Sequence, residues 1–423
     1  MRLICGPDSF ELPGAEGALR VNLYGKSGAG DAAAGAAAMR EVARRRLEAA
    51  PRAWDLLSIA LSVVSADFAV LRSQSPDGWT REFKLDIAVA DPTFWTGQAD
   101  ALADTFAFLT TDRWTIRFHG GGRLPARPKR PVWSVEDCVV LLSGGLDSLV
   151  GAVDLSARGR TPFAVSQVVR GDAARQEEFA RRIGGGLAHL QLNHTARTPG
   201  IDETSQRARS LIFIAFGVLA ATTLKRYHDG DATPLYVCEN GFIAVNPPLT
   251  GGRLGSLSTR TAHPELIGRL QGVLDAAGLR VRMKNPYAAK TKGEMLQECA
   301  DQALLRAEAV RSTSCGRFQR YNYTHCGRCV PCQVRRAAFM AWGVPDETTY
   351  VYRPLGRADG DHAGFDDVRS VALALATVEA DGLDAWLGPA LSSPMIGDRS
   401  ALRAMVQRGL AELRALHQAY GVR

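Results

Sequence analysis

The chain has 423 residues, 46% of them apolar and 22% charged, with a formal net charge of +7. This length predicts two or three domains with substantial cores, and the composition excludes a disordered or fibrous protein. The basic residues are scattered and mostly arginine, with only seven lysines, so the charge reads as composition bias rather than a nucleic-acid surface. "REVARRR", Arg40 to Arg46, reads as a solvated helix face, with weak RNA binding left open. The longest apolar run, Leu211 to Leu224, is too short to span a bilayer. "MRLICGPDSF" lacks the apolar stretch of a signal peptide, and a cytoplasmic protein is expected.

Residues 1–131 read as an α+β domain. "YGKSGAG" near Tyr24 contains Gly-Lys-Ser, but Arg20 stands where a phosphate loop of that type needs its first glycine, so a flexible turn is expected. Trp54 to Ala66 has a helical pattern, Arg81 to Ala90 alternates like a strand, Phe94 to Leu109 is helical, and "WTIRFHG" is a strand. "GGGRLPARPKRP" then reads as a linker. No catalytic constellation is visible here, and recognition or assembly is the expected role.

Residues 132–353 alternate strands ("CVVLL", "PFAVSQVV", "PLYVCENG", "RVRMKNPY") with helices at 148–158, 173–183, 203–228 and 263–277. That alternation predicts a doubly wound parallel α/β sheet with ligands at the carboxyl ends of its strands. At one such end stands "VVLLSGGLDSLVGAVDL", Val139 to Leu155. Its two glycines admit backbone conformations closed to other residues, and the helix start behind them offers unpaired N–H groups to an anion. A bare Gly-Gly turn also occurs at ordinary strand-to-helix junctions. The full string Ser-Gly-Gly-Leu-Asp-Ser, however, resembles the pyrophosphate loop of the ATP pyrophosphatase (PP-loop) enzymes. The resemblance implies ATP binding by Ser143, Gly144, Gly145, Leu146, Asp147 and Ser148. Asp147 would organise the loop or help hold Mg²⁺.

Four of the eight cysteines, Cys315, Cys326, Cys329 and Cys332, crowd into one short segment. In a cytosolic chain such spacing points to metal rather than disulfides. Four thiolates with a glycine-bearing "CGRC" knuckle make a closed tetrahedral set for zinc; an iron–sulfur cluster is the rival, and His325 is a possible replacement ligand.

A PP-loop sequence with this late cysteine set resembles the QueC family, the 7-cyano-7-deazaguanine synthases, over roughly Val132 to Tyr352. Those enzymes activate a 7-carboxy-7-deazaguanine carboxylate with ATP and convert it to an amide and then a nitrile. "RARSLIFIAFGVLAA" matches the family's arginine-bearing helix and "KTKGEM" its Lys-Thr-Lys stretch, which makes Arg209 and Lys292 the expected cations for phosphate or carboxylate. Glu239 and Asn240 follow a strand directly and suit the donor and acceptor edge of a deazaguanine; a turn or capping role is the alternative. Asn246, Arg260 and His263 are weaker candidates in the same long loop.

Three features depart from the QueC pattern. The region before Pro131 and a helical tail over 354–423 are additional. "ENGFIAVNPPLTGGRLGSLSTRTAHP" replaces the family's aspartate-bearing stretch. Ten residues separate Cys315 from Cys326, a longer gap than usual. Together these resemble the QatC group, the QueC-like proteins of the bacterial Qat anti-phage system. That likeness implies a partner protein from the same defence operon, with an amine of that partner as a possible acceptor. Ordinary nitrile synthesis, tRNA thiolation and a nucleotide-sensing adaptor are the other readings. The tail's last helix carries Leu402, Met405, Val406, Leu410, Leu413 and Leu416 on one stripe, expected as core packing.

Overall fold

The computed structural model describes residues 1–169, 171–250, 260, 262–356, 362–393 and 395–422. Two five-stranded sheets organise it. The first contains β1 (Arg2–Gly6), β2 (Leu19–Leu23), β3 (Ala32–Ala34), β4 (Glu82–Ala88) and β5 (Arg113–His119), in the order β3-β2-β1-β4-β5. The segment mixes helices and strands as expected, and all four of its strand pairings are parallel. The connection from β3 to β4 runs through α1 (Ala36–Arg44) and α2 (Pro51–Ala69), and that from β4 to β5 through α3 (Pro92–Thr96) and α4 (Ala99–Thr110).

The second sheet contains β6 (Cys138–Leu141), β7 (Pro162–Gln167), β8 (His189–Leu192), β9 (Thr233–Tyr236) and β10 (Val281–Lys284), in the order β10-β9-β6-β7-β8. It is parallel throughout and doubly wound, as expected. Its strand order reverses at β6, so the crevice beyond the carboxyl end of β6 is the position where such folds take ligands. α5 (Leu146–Ala157), α6 (Ala173–Arg182), α7 (Arg209–Ala221), α8 (Lys225–His228), α9 (Gly241–Ala244) and α10 (Pro264–Ala276) follow in chain order.

The expected helix over 203–228 is shorter and broken. Thr222 and Thr223 turn their hydroxyls back onto the carbonyls of Leu219 and Ala220, which closes α7 before α8 begins. α2 and α7 are apolar on nearly every side and pack on each other, so one continuous core runs through both sheets.

Beyond β10 come α11 (Lys292–Glu298), α12 (Gln302–Glu308), α13 (Val330–Trp342), α14 (His362–Asp381), α15 (Leu383–Leu387) and α16 (Arg399–Ala419). The expected stripe of α16 is buried throughout and packs with α9, α13 and α14 in a core of its own. Among the described residues no helix is long and apolar enough to cross a membrane.

Candidate active site

β6 ends and α5 begins around Ser143–Gly145. Gly144 takes φ +88°, a conformation that L residues rarely adopt, and the chain turns there without a side chain in the way. The turn is held by its own hydroxyls. Ser148 Oγ accepts from the amide of Ser143 at 3.1 Å and donates to the carbonyl of Gly145 at 2.9 Å. Ser143 Oγ accepts from the amide of Gly145 at 3.2 Å and lies 3.0 Å from Ser148 Oγ. Two neighbours steady the loop from outside. The Gln176 side chain donates to the carbonyl of Ser143 at 3.1 Å, and the amide of Thr313 donates to the carbonyl of Gly144 at 3.0 Å.

Asp147 lies in the first turn of α5, where the helix dipole favours a carboxylate. It forms an ion pair with Lys292 Nζ at 2.9 Å and accepts from the Asn240 amide at 2.7 Å. Asn240 is completely buried, and its own oxygen accepts from the amide of Ile243 to cap α9. Its side chain is therefore engaged with the loop aspartate and the helix start.

The loop opens onto a cavity of about 450 Å³ whose lining includes Ser143, Gly145, Asp147, Ser148, Arg209, Glu239 and Lys292. The structure thus brings together residues separated by up to 149 positions in the chain, Ser143 to Lys292 (292 − 143). Burial lowers the pKa of the Arg209 guanidinium, opposed by the nearby Asp172 carboxylate. Burial also raises the pKa of Asp172, even though it meets Arg175 at 2.8 Å and accepts from the Thr313 hydroxyl at 3.0 Å. Loop amides, a helix N-terminus, the buried Lys292 and the solvent-accessible Arg209 together give the cavity the donors and positive charge that a polyanion would need.

Asn246, Arg260 and His263 do not line the cavity. Arg260 donates to the carbonyl of Phe108 at 2.8 Å and lies over that ring. His263 caps α10 by accepting from the amide of Glu265, and its ring packs against Phe108. Asn246 is buried with φ +52° just after α9. The rest of that loop, 251–259 and 261, lies outside the described residues.

The sequence had not singled out Asp172, Thr313, Gln176 or the apolar wall residue Phe213. Asp172 shares one usable signal with Asp147, since each opens or begins a helix just past a strand's carboxyl end. Thr313 has another, standing two residues before the first cysteine of the metal set.

That set is assembled. The sulfurs of Cys315, Cys326, Cys329 and Cys332 lie within 4.8 Å of one another, and the 315–329 and 326–332 pairs are 3.9 Å apart. A single ion bonded to four thiolates at about 2.3 Å places the sulfurs roughly 3.8 Å apart, so the cluster is able to bind zinc. Backbone amides of Arg317 and Cys326 point at the Cys315 sulfur, and that of Cys329 at the Cys326 sulfur, each at 3.3 Å, as thiolates require. Gly327, in the knuckle, has φ +89°, and a Cβ there would lie 2.2 Å from the carbonyl oxygen of Tyr352. His325 accepts from the amide of Ser314 at 3.1 Å and stands outside the four-sulfur set.

A doubly wound sheet presenting loop amides and two cations at its switch point, with a four-cysteine cluster behind the loop, fits a PP-loop domain of the QueC-like kind. No protein-family model matches the chain. It is similar to the 7-cyano-7-deazaguanine synthase of Ralstonia pickettii, 26% identical over 227 residues, covering 50% of this chain and 98% of that relative. The 7-cyano-7-deazaguanine synthase of Brucella canis is 28% identical over 245 residues, covering 52% of this chain and 96% of the relative. This homology supports a likeness to the QueC family, with about half of the chain lying outside the matched length.

Proposed function

We propose that the protein is a QueC-like C–N ligase that adenylates the carboxylate of a 7-carboxy-7-deazaguanine-type substrate and passes it to an amine, as part of bacterial anti-phage defence. The observation that carries the reading is the cavity, which joins the Ser143–Ser148 loop to Arg209, Lys292 and Glu239. A carboxylate is inert to amines until one of its oxygens becomes a leaving group. Its oxygen attacks the α-phosphorus of ATP, the bond to the bridging oxygen breaks, and pyrophosphate departs. The amine then attacks the acyl carbon, AMP leaves, and the nitrogen loses its proton.

In this reading the loop amides and the Ser143 hydroxyl hold the pyrophosphate, and Lys292 and Arg209 offset its charge. Mg²⁺, held with the help of Asp147, would supply further neutralisation of the departing charge. Glu239 faces the base of the substrate. The zinc-type thiolate set holds the 313–315 segment beside the loop and takes no chemical part.

The acceptor is an amine of a partner protein from the same operon, as the QatC-like departures and the regions flanking 132–353 support. An α-amine, with a pKa near about 8, is more nucleophilic at neutral pH than a lysine near about 10.4, which is more fully protonated. The experiment expresses the operon's proteins with and without this enzyme, in a host making 7-carboxy-7-deazaguanine, and records intact masses. A deazaguanine-sized gain that depends on Asp147 is expected. Free nitrile with no mass gain on any partner would replace conjugation with ordinary nitrile synthesis.

A further inference from the structure

Lys292 occupies an awkward place for a cation. It is the first residue of α11, where the helix dipole is positive, and it is only 7% exposed. Asp147 answers its charge from one side. The helix start that carries it is gripped from another side by the C-terminal tail. Glu412 of α16 accepts from the hydroxyl of Thr291, the N-cap of α11, and from the backbone amide of Gly293. A Cβ at Gly293 would lie 2.5 Å from Glu412 Oε1 and 2.8 Å from the Ala341 Cβ, so no larger residue would let the carboxylate in. One turn earlier on α16, Arg408 pairs with Glu294, which closes the capping box of α11, and donates to the carbonyl of Ala289 at 3.0 Å.

The same face of α16 also reaches the other partner of Asp147. Gly409 packs so closely on Phe242 that a Cβ would come within 2.3 Å of the ring, and Met405 lies against Gly241. Both contacts fall on α9, the helix that Asn240 caps. One helix from outside the 132–352 stretch thus braces both groups that hold the loop aspartate.

We propose that Glu412 is a positioning residue that sets Lys292, and through it Asp147 and the Ser143–Ser148 loop, so that the C-terminal tail is part of the active-site scaffold. The proposal rests on the ATP-using reading of that site. Hydrogen–deuterium exchange on the full chain, which needs no ATP, is therefore measured beside pyrophosphate release. Glu412→Ala is expected to speed exchange both at 290–298 and at 143–148, and to lower kcat by about 10–100-fold, the cost of a displaced catalytic group. Glu412→Gln keeps an oxygen that accepts from Thr291 and Gly293, and should restore both protection and kcat. Glu412→Asp keeps the charge but falls short, and should behave like alanine; it also serves if the alanine variant fails to fold. Arg403→Ala, which removes only the exposed pair with Asp384, is the control expected to change neither. Unchanged exchange at 143–148 in the alanine and aspartate variants, or a glutamine variant as impaired as alanine, overturns the proposal. If the loop responds as expected while the wild type releases no pyrophosphate with any carboxylate, the brace stands and the ATP reading falls.

Discussion

The N-terminal region and the C-terminal tail flank the QueC-like stretch, and each sends a carboxylate to the start of a helix that carries a cavity cation. Asp67, near the end of α2, accepts from the amides of Arg207 at 2.7 Å and Ala208 at 2.8 Å, immediately before Arg209. Glu412 does the corresponding work for Lys292. Their surroundings differ sharply. Asp67 is fully buried and pairs with Arg81 at 2.6 Å, while Asp112 binds both Arg81 and Arg72, and Glu203 accepts from the amide of Arg72. Glu412 retains some contact with solvent, and burial raises its pKa from 4.5 to about 7. One brace is welded into the fold. The other is adjustable, and tunes the site without holding the molecule together.

The largest effect should come from the welded side. Asp67→Ala leaves Arg81 buried against a single remaining carboxylate and uncaps α7, and is expected to cost about 3–5 kcal/mol of stability. Urea unfolding measures it. A loss below about 1 kcal/mol would mean that the network is replaceable and that the two braces do not differ in kind.

The thiolate cluster is a third support of the same loop, because Thr313, bonded to the carbonyl of Gly144, stands two residues before Cys315. Cys329→Ser, or a strong chelator, should remove metal-coupled folding energy on the order of several kcal/mol. Thermal melting with parallel metal analysis checks it. A variant that keeps its metal and melting temperature but loses activity would assign Cys329 a chemical role.

Asp147 is the point on which the cation side of the comparison converges. Asp147→Asn should abolish pyrophosphate release while the chain still folds, with a lowered melting temperature because Lys292 loses the carboxylate it pairs with. Near-normal turnover would detach Lys292, Asn240 and both helices behind them from the chemistry.

Local strings announced some of this and not the rest. The Ser143–Ser148 turn was legible because a strand, two glycines and a helix start are contiguous, and the cysteine set because its residues repeat at short spacing. β8 was missed: "HLQL" is short, lies at the sheet edge and has no β-branched residue. Arg260 and His263 sit in a loop that promised a ligand, yet their partner is Phe108, more than 150 positions earlier in the chain for each (260 − 108 = 152). Asn240 was legible as a residue at a strand's end, but its bond to Asp147 is tertiary. Glu412 carried no signal at all, being one polar residue on a helix whose apolar stripe accounts for its pattern.

The smallest predicted effect separates the braces most finely, because it depends on proton binding. Burial raises the pKa of Glu412, Glu294 adds to the rise, and Arg408 and the bonds from Thr291 and Gly293 oppose it. In the unfolded chain the group titrates near 4.5, and in the folded protein near 7. Between those values the folded state holds more protons than the unfolded one. The contribution of this group is thus fully present below about pH 4.5 and is lost as pH rises through about 7. Glutamine keeps the acceptor oxygen and cannot ionise. Relative to wild type, Glu412→Gln should therefore gain stability on going from pH 5 to pH 8, a shift of the urea midpoint in one direction only. A wild-type and glutamine pair whose midpoints stay parallel across that range would show that Glu412 binds no extra proton on folding, and the idea of an adjustable brace would be lost.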